Sequence, residues 1–218
     1  MKKDLIYCVS AAILAMVFML AGQAYAQSDC DVAFEAPQLT IQCGSTDNDI
    51  EVFVDNGNLF VDIGEGPVNQ GSADGLVRII ISPLGGGNDN VSIHDIGPPT
   101  DFILVESRAG NDVVSVGPEV DLGDFGYLPI RTGLGDDVIN LGLNVNAFQV
   151  RIVAGPGQDR LSTFAAPPLG FDGITATENI LFLGGEGRGD TLVIGNDSIN
   201  SGGNVIIRGW EFFGTITE

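Results

Sequence analysis

Basic residues are scarce in this sequence. Among 218 residues, 9 Lys and Arg stand against 29 Asp and Glu, which gives a formal net charge of −20. Binding to nucleic acid or to an anionic membrane surface requires a basic patch, so both classes of partner are excluded. Charged residues are nevertheless only 17% of the chain and hydrophobic residues 44%, which excludes a disordered acidic tail. The residue in excess is glycine, with 31 copies, and glycine destabilises helix interiors.

Histidine and cysteine are also rare. His94 is the only histidine, so a zinc site is not expected and a Ser-His-Asp triad would have to use this residue. We interpret His94 as a solvent-facing or capping residue. Cys30 and Cys43 remain once the leader carrying Cys8 is removed. An even pair in an exported chain predicts a disulfide, which would stabilise the fold by roughly 3 kcal/mol on the chain-entropy model.

One long apolar run is present, from Leu5 to Gly22, and it follows Lys2 and Lys3. The segment Ala24-Tyr25-Ala26 then supplies a small-x-small cleavage pattern. This order predicts a signal peptide over residues 1–26 and a mature start at Gln27. The alternative is an uncleaved anchor, because the run is near the length that spans a bilayer. With cleavage, we expect a secreted, extracellular or periplasmic protein with no membrane attachment.

A glycine-aspartate motif recurs along the rest of the chain. It reads Gly-Gly-Gly-Asn-Asp at 85–89 and Gly-Leu-Gly-Asp-Asp at 133–137, and a degenerate copy begins at Ser45. The steps between successive motif aspartates are 23, 25, 22 and 31 residues. The fifth copy carries one extra residue. The five aspartates are Asp89, Asp112, Asp137, Asp159 and Asp190.

Short apolar runs flank most copies of the motif. Val77–Ile81 precedes the first copy and Val91–Ile93 follows it, for example. These runs are β-branched and bounded by Gly, Pro and Asn, so they predict strands, and no helical period is visible. Units of strand, turn and strand must stack to bury their apolar faces. The sequence therefore predicts an all-β chain forming a right-handed parallel β-solenoid (a β-helix or β-roll). An antiparallel β-sandwich with similar hairpin turns is the alternative.

The segment before the repeats predicts a cap on the open end of the solenoid. Residues 50–54 and 59–63 are apolar runs joined through Asn56-Gly57, which is a strong β-hairpin signal. Trp210, Phe212 and Phe213 are candidates for covering the other end. The predicted organisation is a signal peptide at 1–26, an N-terminal cap with disulfide and hairpin at 27–76, a repeat solenoid at 77–203 and a C-terminal strand or cap at 204–218.

The G-x-G-N-D-x-hydrophobic motif resembles the haemolysin-type (RTX) calcium-binding repeat of secreted bacterial proteins. This resemblance implies a β-roll or β-helix whose turns chelate Ca²⁺ with aspartate carboxylates and glycine carbonyls. Here one turn occurs per unit of roughly 24 residues, whereas the family repeats about every nine, and Arg108 stands where the family has glycine. The ligands that the resemblance implies are the five motif aspartates and Gly87, Gly110, Gly135 and Gly157.

A physical argument for cations stands beside the resemblance. Equivalent residues of stacked strands lie about 4.8 Å apart. Two carboxylates at that distance repel by roughly 1 kcal/mol in water and about 3–4 kcal/mol at an effective dielectric constant near 20. Ca²⁺ would relieve this repulsion, because it accepts both carboxylates and carbonyls. The alternative is a plain solvated turn in which Gly, Asn and Asp serve only the backbone geometry.

A binding or structural role at the cell exterior is favoured over catalysis, because no nucleophile and base are recognisable. We expect calcium as the ligand and an extracellular polysaccharide or a cell surface as the further partner. A β-helical polysaccharide lyase or hydrolase is one alternative, in which Arg78, Arg131 or Arg151 would act beside a carboxylate cluster. A carbohydrate-binding adhesin is another, and Phe125 and Tyr127 are its nearest aromatic candidates.

Overall fold

The structure, a computed structural model, describes residues 29–142, 144–163, 174–187, 189–195 and 199–216. The predicted signal peptide lies outside the described residues. Apart from one 3-10 turn, Gly123–Phe125, the described residues form strands and loops. The strands are β1 (Cys30–Glu35), β2 (Gln38–Cys43), β3 (Asp49–Asp55), β4 (Asn58–Asp62), β5 (Val68–Ser72), β6 (Arg78–Ile81), β7 (Asn90–His94), β8 (Phe102–Glu106), β9 (Val113–Val116), β10 (Val120–Asp121), β11 (Tyr127–Arg131), β12 (Val138–Leu141), β13 (Val145–Val153), β14 (Arg160–Ser162), β15 (Ile174–Leu183), β16 (Thr191–Gly195), β17 (Ile199–Ser201), β18 (Val205–Arg208) and β19 (Phe212–Ile216).

Two mostly parallel sheets contain these strands, and neither sheet closes on itself. Sheet 1 has the order β1-β2-β6-β8-β11-β13-β15-β17, with β10 beside β13 and β18 beside β15. Sheet 2 has the order β19-β16-β14-β12-β9-β7-β3-β4-β5. The prediction of an all-β chain is therefore confirmed. From β6 to β16 the chain alternates between the sheets, except that β10 and β11 both lie in sheet 1. Strands β6 and β7 pair in parallel with β2 and β3, from before the β4–β5 segment, and from β8 onward the strands pair in parallel with strands of the preceding repeat.

Antiparallel pairing within the described residues is confined to the beginning of the chain. Strand β1 pairs with β2, and a disulfide joins the directly opposed Cys30 and Cys43. Strand β3 pairs with β4 through Asn56 and Gly57, whose φ values are 50° and 77°. Both residues are left-handed, as the predicted Asn-Gly hairpin turn requires. The chain then adds β5 antiparallel to β4, a third strand that the sequence analysis did not predict.

The core lies between the sheets and consists of stacked rows of aliphatic side chains. Alternation along each strand sends every second residue inward. In sheet 1, Ile79, Ile103 and Val150 lie in one buried row, and in sheet 2 Val91, Val114 and Ile139 lie in another. Full burial of each such side chain stabilises the fold by about 1.5–3 kcal/mol. Because each row runs along the whole stack, one continuous core holds the repeats together.

The last segment extends both sheets. Strand β18 pairs in parallel with β15, and β19 pairs in parallel with β16. Trp210 lies between them along the chain and is 6% exposed, whereas the side chains of Phe212 and Phe213 are outside the description. Residues 205–216 thus add one more round of the same strand pattern.

Candidate functional site

The five motif aspartates occupy one column along sheet 2. Each stands immediately before a strand, and those strands pair in parallel: β7 with β9, β9 with β12, β12 with β14 and β14 with β16. The side chains point inward, because the aspartate is in phase with the buried residues two and four positions later. Exposure is at most 2% for all five: Asp89, Asp112, Asp137, Asp159 and Asp190.

Backbone hydrogen bonds link the carboxylates into a ladder. The Oδ1 atom of each aspartate accepts the N–H of the corresponding residue one repeat earlier. The N–H of Asp89 donates to Asp112 at 2.9 Å, that of Asp112 to Asp137 at 2.9 Å, and that of Asp137 to Asp159 at 3.0 Å. The N–H of Asp159 donates to Asp190 at 3.0 Å. The aspartate column therefore also satisfies backbone donors that the tight turns would leave unpaired.

The second carboxylate oxygen, Oδ2, has a hydrogen-bond partner in only one of the five aspartates. The Oδ2 atoms of Asp89, Asp112, Asp137 and Asp159 are buried and have no hydrogen-bond partner. The Oδ2 atom of Asp190 accepts the N–H of Gly185 at 3.2 Å. A buried, unpaired carboxylate oxygen is costly. Four of the five predicted ligands thus have an unsatisfied acceptor inside the fold.

Burial makes three of these carboxylates, those of Asp89, Asp137 and Asp159, harder to ionise. Removal from water raises the pKa of Asp89 above its ordinary value. The same cause raises the pKa of Asp137 to about 6 and that of Asp159 to about 7, and the neighbouring carboxylates of the column add to both increases. Two neighbouring members of the column, Asp137 and Asp159, therefore lose their protons much closer to neutral pH than an ordinary aspartate does.

The column starts with an amide rather than a carboxylate. Asn48 lies one position before β3, in register with Asp89, and is 4% exposed. Its N–H and its Nδ2 both donate to Asp89 Oδ1, at 3.0 and 2.9 Å. The sequence predicts this segment only as a degenerate repeat. The overlooked signal is that Asn48 is in phase with the buried Ile50 and Val52.

The predicted glycine ligands form a second column in which the turns are in close contact. A Cβ atom placed on Gly110 would lie 1.9 Å from the carbonyl oxygen of Gly87, and one on Gly135 would lie 1.8 Å from that of Gly110. A Cβ atom on Gly157 would likewise lie 1.8 Å from the carbonyl oxygen of Gly135. Each carbonyl therefore faces the Cα of the next glycine in the stack. Close stacking explains why these positions are glycine, whether or not an ion is bound.

An outer ladder runs beside the buried one and was missed by the sequence analysis. Four of the five motif aspartates follow a polar residue, whereas Asp190 follows Gly189. In this outer position, the side chain of one repeat accepts an N–H from the next repeat. The N–H of Asn88 donates to Asp47, that of Asn111 to Asn88, that of Asp136 to Asn111 and that of Gln158 to Asp136, all at 2.8–2.9 Å. The recurrent Asn, Asp or Gln before the motif aspartate was the available signal.

The residues considered for catalysis have separate positions and partners. The Nδ1 and Nε2 atoms of His94 lie 2.6 Å from Asp95 Oδ2 and 3.0 Å from Glu51 Oε1, and its ring stacks on Phe53. Arg131 pairs with Glu106 at 2.5 Å.

The other two arginines considered for catalysis lie elsewhere on sheet 1. Arg78 lies over the ring of Phe102, with 4.8 Å from its guanidinium carbon to the ring centroid. The Nε atom of Arg151 is buried without a partner. No pair of these side chains is brought into contact by the hydrogen bonds and ion pairs of the described residues.

No group of three or more His, Cys, Asp or Glu side chains in the described part of the chain has the arrangement of a metal site. Within the same residue ranges, no helix has the length and apolar character needed to cross a membrane. Comparisons with protein-family models, curated proteins and solved structures find no match to this chain.

Proposed function

We propose that this chain is a secreted calcium-binding protein with a structural or surface-interaction role, and that its two sheets are faces of a parallel β-solenoid. The parallel registers and the alternation between sheets support the solenoid. The leader-like N-terminal sequence and the Cys30–Cys43 disulfide support export. The two antiparallel segments at the start of the chain would cover strand edges that otherwise favour aggregation.

The observation that carries the calcium proposal is the row of unpartnered Oδ2 atoms in the aspartate column. Adjacent carboxylates of this row need a positive charge between them. Ca²⁺ suits such a position, because it accepts carboxylates and backbone carbonyls in flexible geometry. An ion between two repeats would take carboxylate oxygens from two aspartates, such as Asp112 and Asp137, and complete its shell with backbone oxygens. Such a site contains only two acidic side chains, so it differs from a metal centre built from three or more His, Cys, Asp or Glu side chains.

The proposal is tested by thermal unfolding of the mature chain with excess CaCl₂ and with a chelator. A ligand at 100 times its Kd stabilises a fold by about 2.7 kcal/mol per site. For a domain of this size, we expect the Tm to increase by at least about 5 °C. Equal Tm values in calcium and chelator would refute the calcium proposal and leave the plain hydrogen-bonded turn.

A matched pair of substitutions assigns the effect to the column. Asp137→Asn keeps an oxygen that can accept the N–H of Asp112 but removes the negative charge. Asp124→Asn removes the same charge from an exposed position outside the column. We expect Asp137→Asn to reduce the calcium-dependent increase in Tm and Asp124→Asn to leave it unchanged. Equal effects of the two substitutions would show that calcium acts through general charge screening.

A further inference from the structure

A groove crosses successive repeats at the corner where the chain enters sheet 1, away from the aspartate column. Its volume is about 660 Å³, within the range of sites for small ligands. Asp95, Glu119 and Asn144 line it, and all three have left-handed backbones with φ of 54–56°. Such values are uncommon for residues other than glycine. The same strained corner is thus repeated in three successive rounds of the chain, and it presents a polar side chain each time.

The polar groups of the groove are fixed in place by hydrogen bonds between repeats. Asn144 Nδ2 donates to Glu119 Oε1 at 2.5 Å, and Asn146 Nδ2 donates to Asp121 Oδ1 at 2.8 Å. Both pairs line the groove. Asp121 Oδ1 also accepts the N–H of Gly123. Because these side chains are already ordered, a ligand would bind them at a reduced entropic cost.

An exposed aromatic ring lies close to the groove along the chain. Phe125 follows Asp121 by four residues and is 85% exposed, the largest exposure among the large hydrophobic residues described. Its ring lies 6.5 Å from that of Phe148. Phe148 lies two positions after Asn146 on β13, at an irregularity of the strand, and both residues are half-buried. The aromatic pair therefore lies beside the groove, because Asp121 of the groove accepts the N–H of Gly123 in the turn that carries Phe125.

We propose that this groove and the Phe125–Phe148 pair bind a segment of an uncharged glycan, whose sugars carry hydroxyl or acetamido groups. Sugar hydroxyls both donate and accept hydrogen bonds, and the groove offers carboxylate acceptors together with amide donors and acceptors. The apolar C–H face of a sugar ring packs on an exposed aromatic ring. Glu119 and Asp121 repel anionic polymers, as does the net charge of −20. The inference rests on the surface-interaction role proposed above and names its ligand class.

The test uses soluble hexasaccharides of β-1,4-linked glucose, β-1,4-linked N-acetylglucosamine and α-1,6-linked mannose, with oligogalacturonate as the anionic comparison. Binding to the mature chain is measured by titration calorimetry, once in calcium and once in chelator. We expect at least one neutral or amino-sugar probe to bind and oligogalacturonate not to bind. If none of the three neutral or amino-sugar probes binds, or if only the anionic probe binds, the proposal is wrong.

Two substitutions with matched controls locate the binding surface. Phe125→Ala removes the exposed ring and should weaken binding about fivefold, whereas Leu134→Ala removes another exposed hydrophobic side chain and should have no effect. Asp121→Asn keeps the acceptor for Gly123 and should weaken binding severalfold, whereas Asp124→Asn should not. Affinity unchanged by both Phe125→Ala and Asp121→Asn overturns the assignment. Concentration-dependent dimerisation that Phe125→Ala abolishes also overturns it, because a second copy would then occupy the surface.

The glycan and calcium proposals can fail separately. Asp137→Asn changes the aspartate column and leaves the groove residues intact, so it should reduce the calcium-dependent Tm increase while glycan affinity stays the same. Glycan binding with equal Tm values in calcium and chelator would support the groove and refute the calcium column. A Tm that increases with calcium, without binding of any glycan probe, would support the calcium column and refute the glycan groove.

Discussion

At the scale of single residues, the aspartate column contains two carboxyl groups, those of Asp137 and Asp159, whose protonation should depend on folding. The pKa of Asp159 is raised to about 7 and that of Asp137 to about 6, mainly by burial. An acid with a raised pKa in the folded state holds a proton that the unfolded chain, near 3.8, has already lost. Between these pH values the folded state binds more protons, so stability falls as the pH rises.

Asp159→Asn should therefore remove part of this pH dependence. In chelator, we expect the wild-type Tm to decrease between pH 5 and pH 8, because Asp137 and Asp159 hold protons in the folded state that the unfolded chain has already lost. The Asn variant stays neutral in both states, so its stability advantage over wild type should be larger at pH 8 than at pH 5. Asn48, which already occupies the first position of the column, indicates that an amide fits. A variant with the same pH profile as wild type would contradict the prediction.

His94 gives a second prediction at the residue scale. Burial lowers its pKa, but the hydrogen bonds to Asp95 and Glu51 outweigh burial and raise the pKa above 6.5. A raised histidine pKa contributes stability that is fully present below pH 6.5 and is lost as the pH rises through the folded-state pKa. His94→Gln should lower the free energy of unfolding at pH 5.5 by more than at pH 9. Urea unfolding at the two pH values measures this difference, and equal losses would show that the charge of His94 has no effect.

At the scale of elements, the glycine column should control how closely the repeats stack. Gly135 has φ of +135°, and a Cβ atom there would lie 1.8 Å from the carbonyl oxygen of Gly110. Gly135→Ala should cost about 3 kcal/mol or more, because it combines backbone strain with a clash against rigid backbone. Gly71→Ala is the control, since Gly71 has φ of +117° but nothing within 4 Å of the added Cβ. Chemical denaturation should show a much smaller loss of unfolding free energy for the control. Equal losses would mean that backbone strain at positive φ accounts for the whole effect and that the clash contributes nothing.

The strands and the repeat could be predicted from the sequence, because a fixed step between motifs and short β-branched runs are local signals. Val77–Ile81, for example, corresponds to β6. The antiparallel β5 could not be predicted, since residues 68–72 include Asn, Gln and Gly and have no apolar alternation. The burial of the motif aspartates could also have been predicted from their position relative to the apolar residues of the following strand. Asp112 is in phase with Val114 and Val116, and residues two apart on a strand face the same side.

The groove could not be predicted from sequence, for a different physical reason. Its corner residues are Asp95, Glu119 and Asn144, which differ in type and adopt positive φ without glycine. Their similarity lies in the backbone conformation and in the hydrogen bonds between repeats. Residues of different types can have both properties, so no shared residue type marks these corners in the sequence. Aromatic residues such as Phe125 could be listed as candidates, but their exposure depends on the loop between β10 and β11.

At the scale of the whole molecule, stability should depend on ionic strength in a way that separates screening from specific binding. The net charge of −20 favours expansion by self-repulsion, and salt screens charges separated by more than about 10 Å at 0.1 M. In chelator, the Tm should rise between 10 and 500 mM NaCl. Calcium at 1 mM, compared at constant ionic strength, should raise the Tm further if ions bind within the aspartate column. Scanning calorimetry across this series measures both the screening by NaCl and the further increase caused by calcium. A Tm that does not change with NaCl would show that repulsion between surface charges contributes little to the stability of the fold.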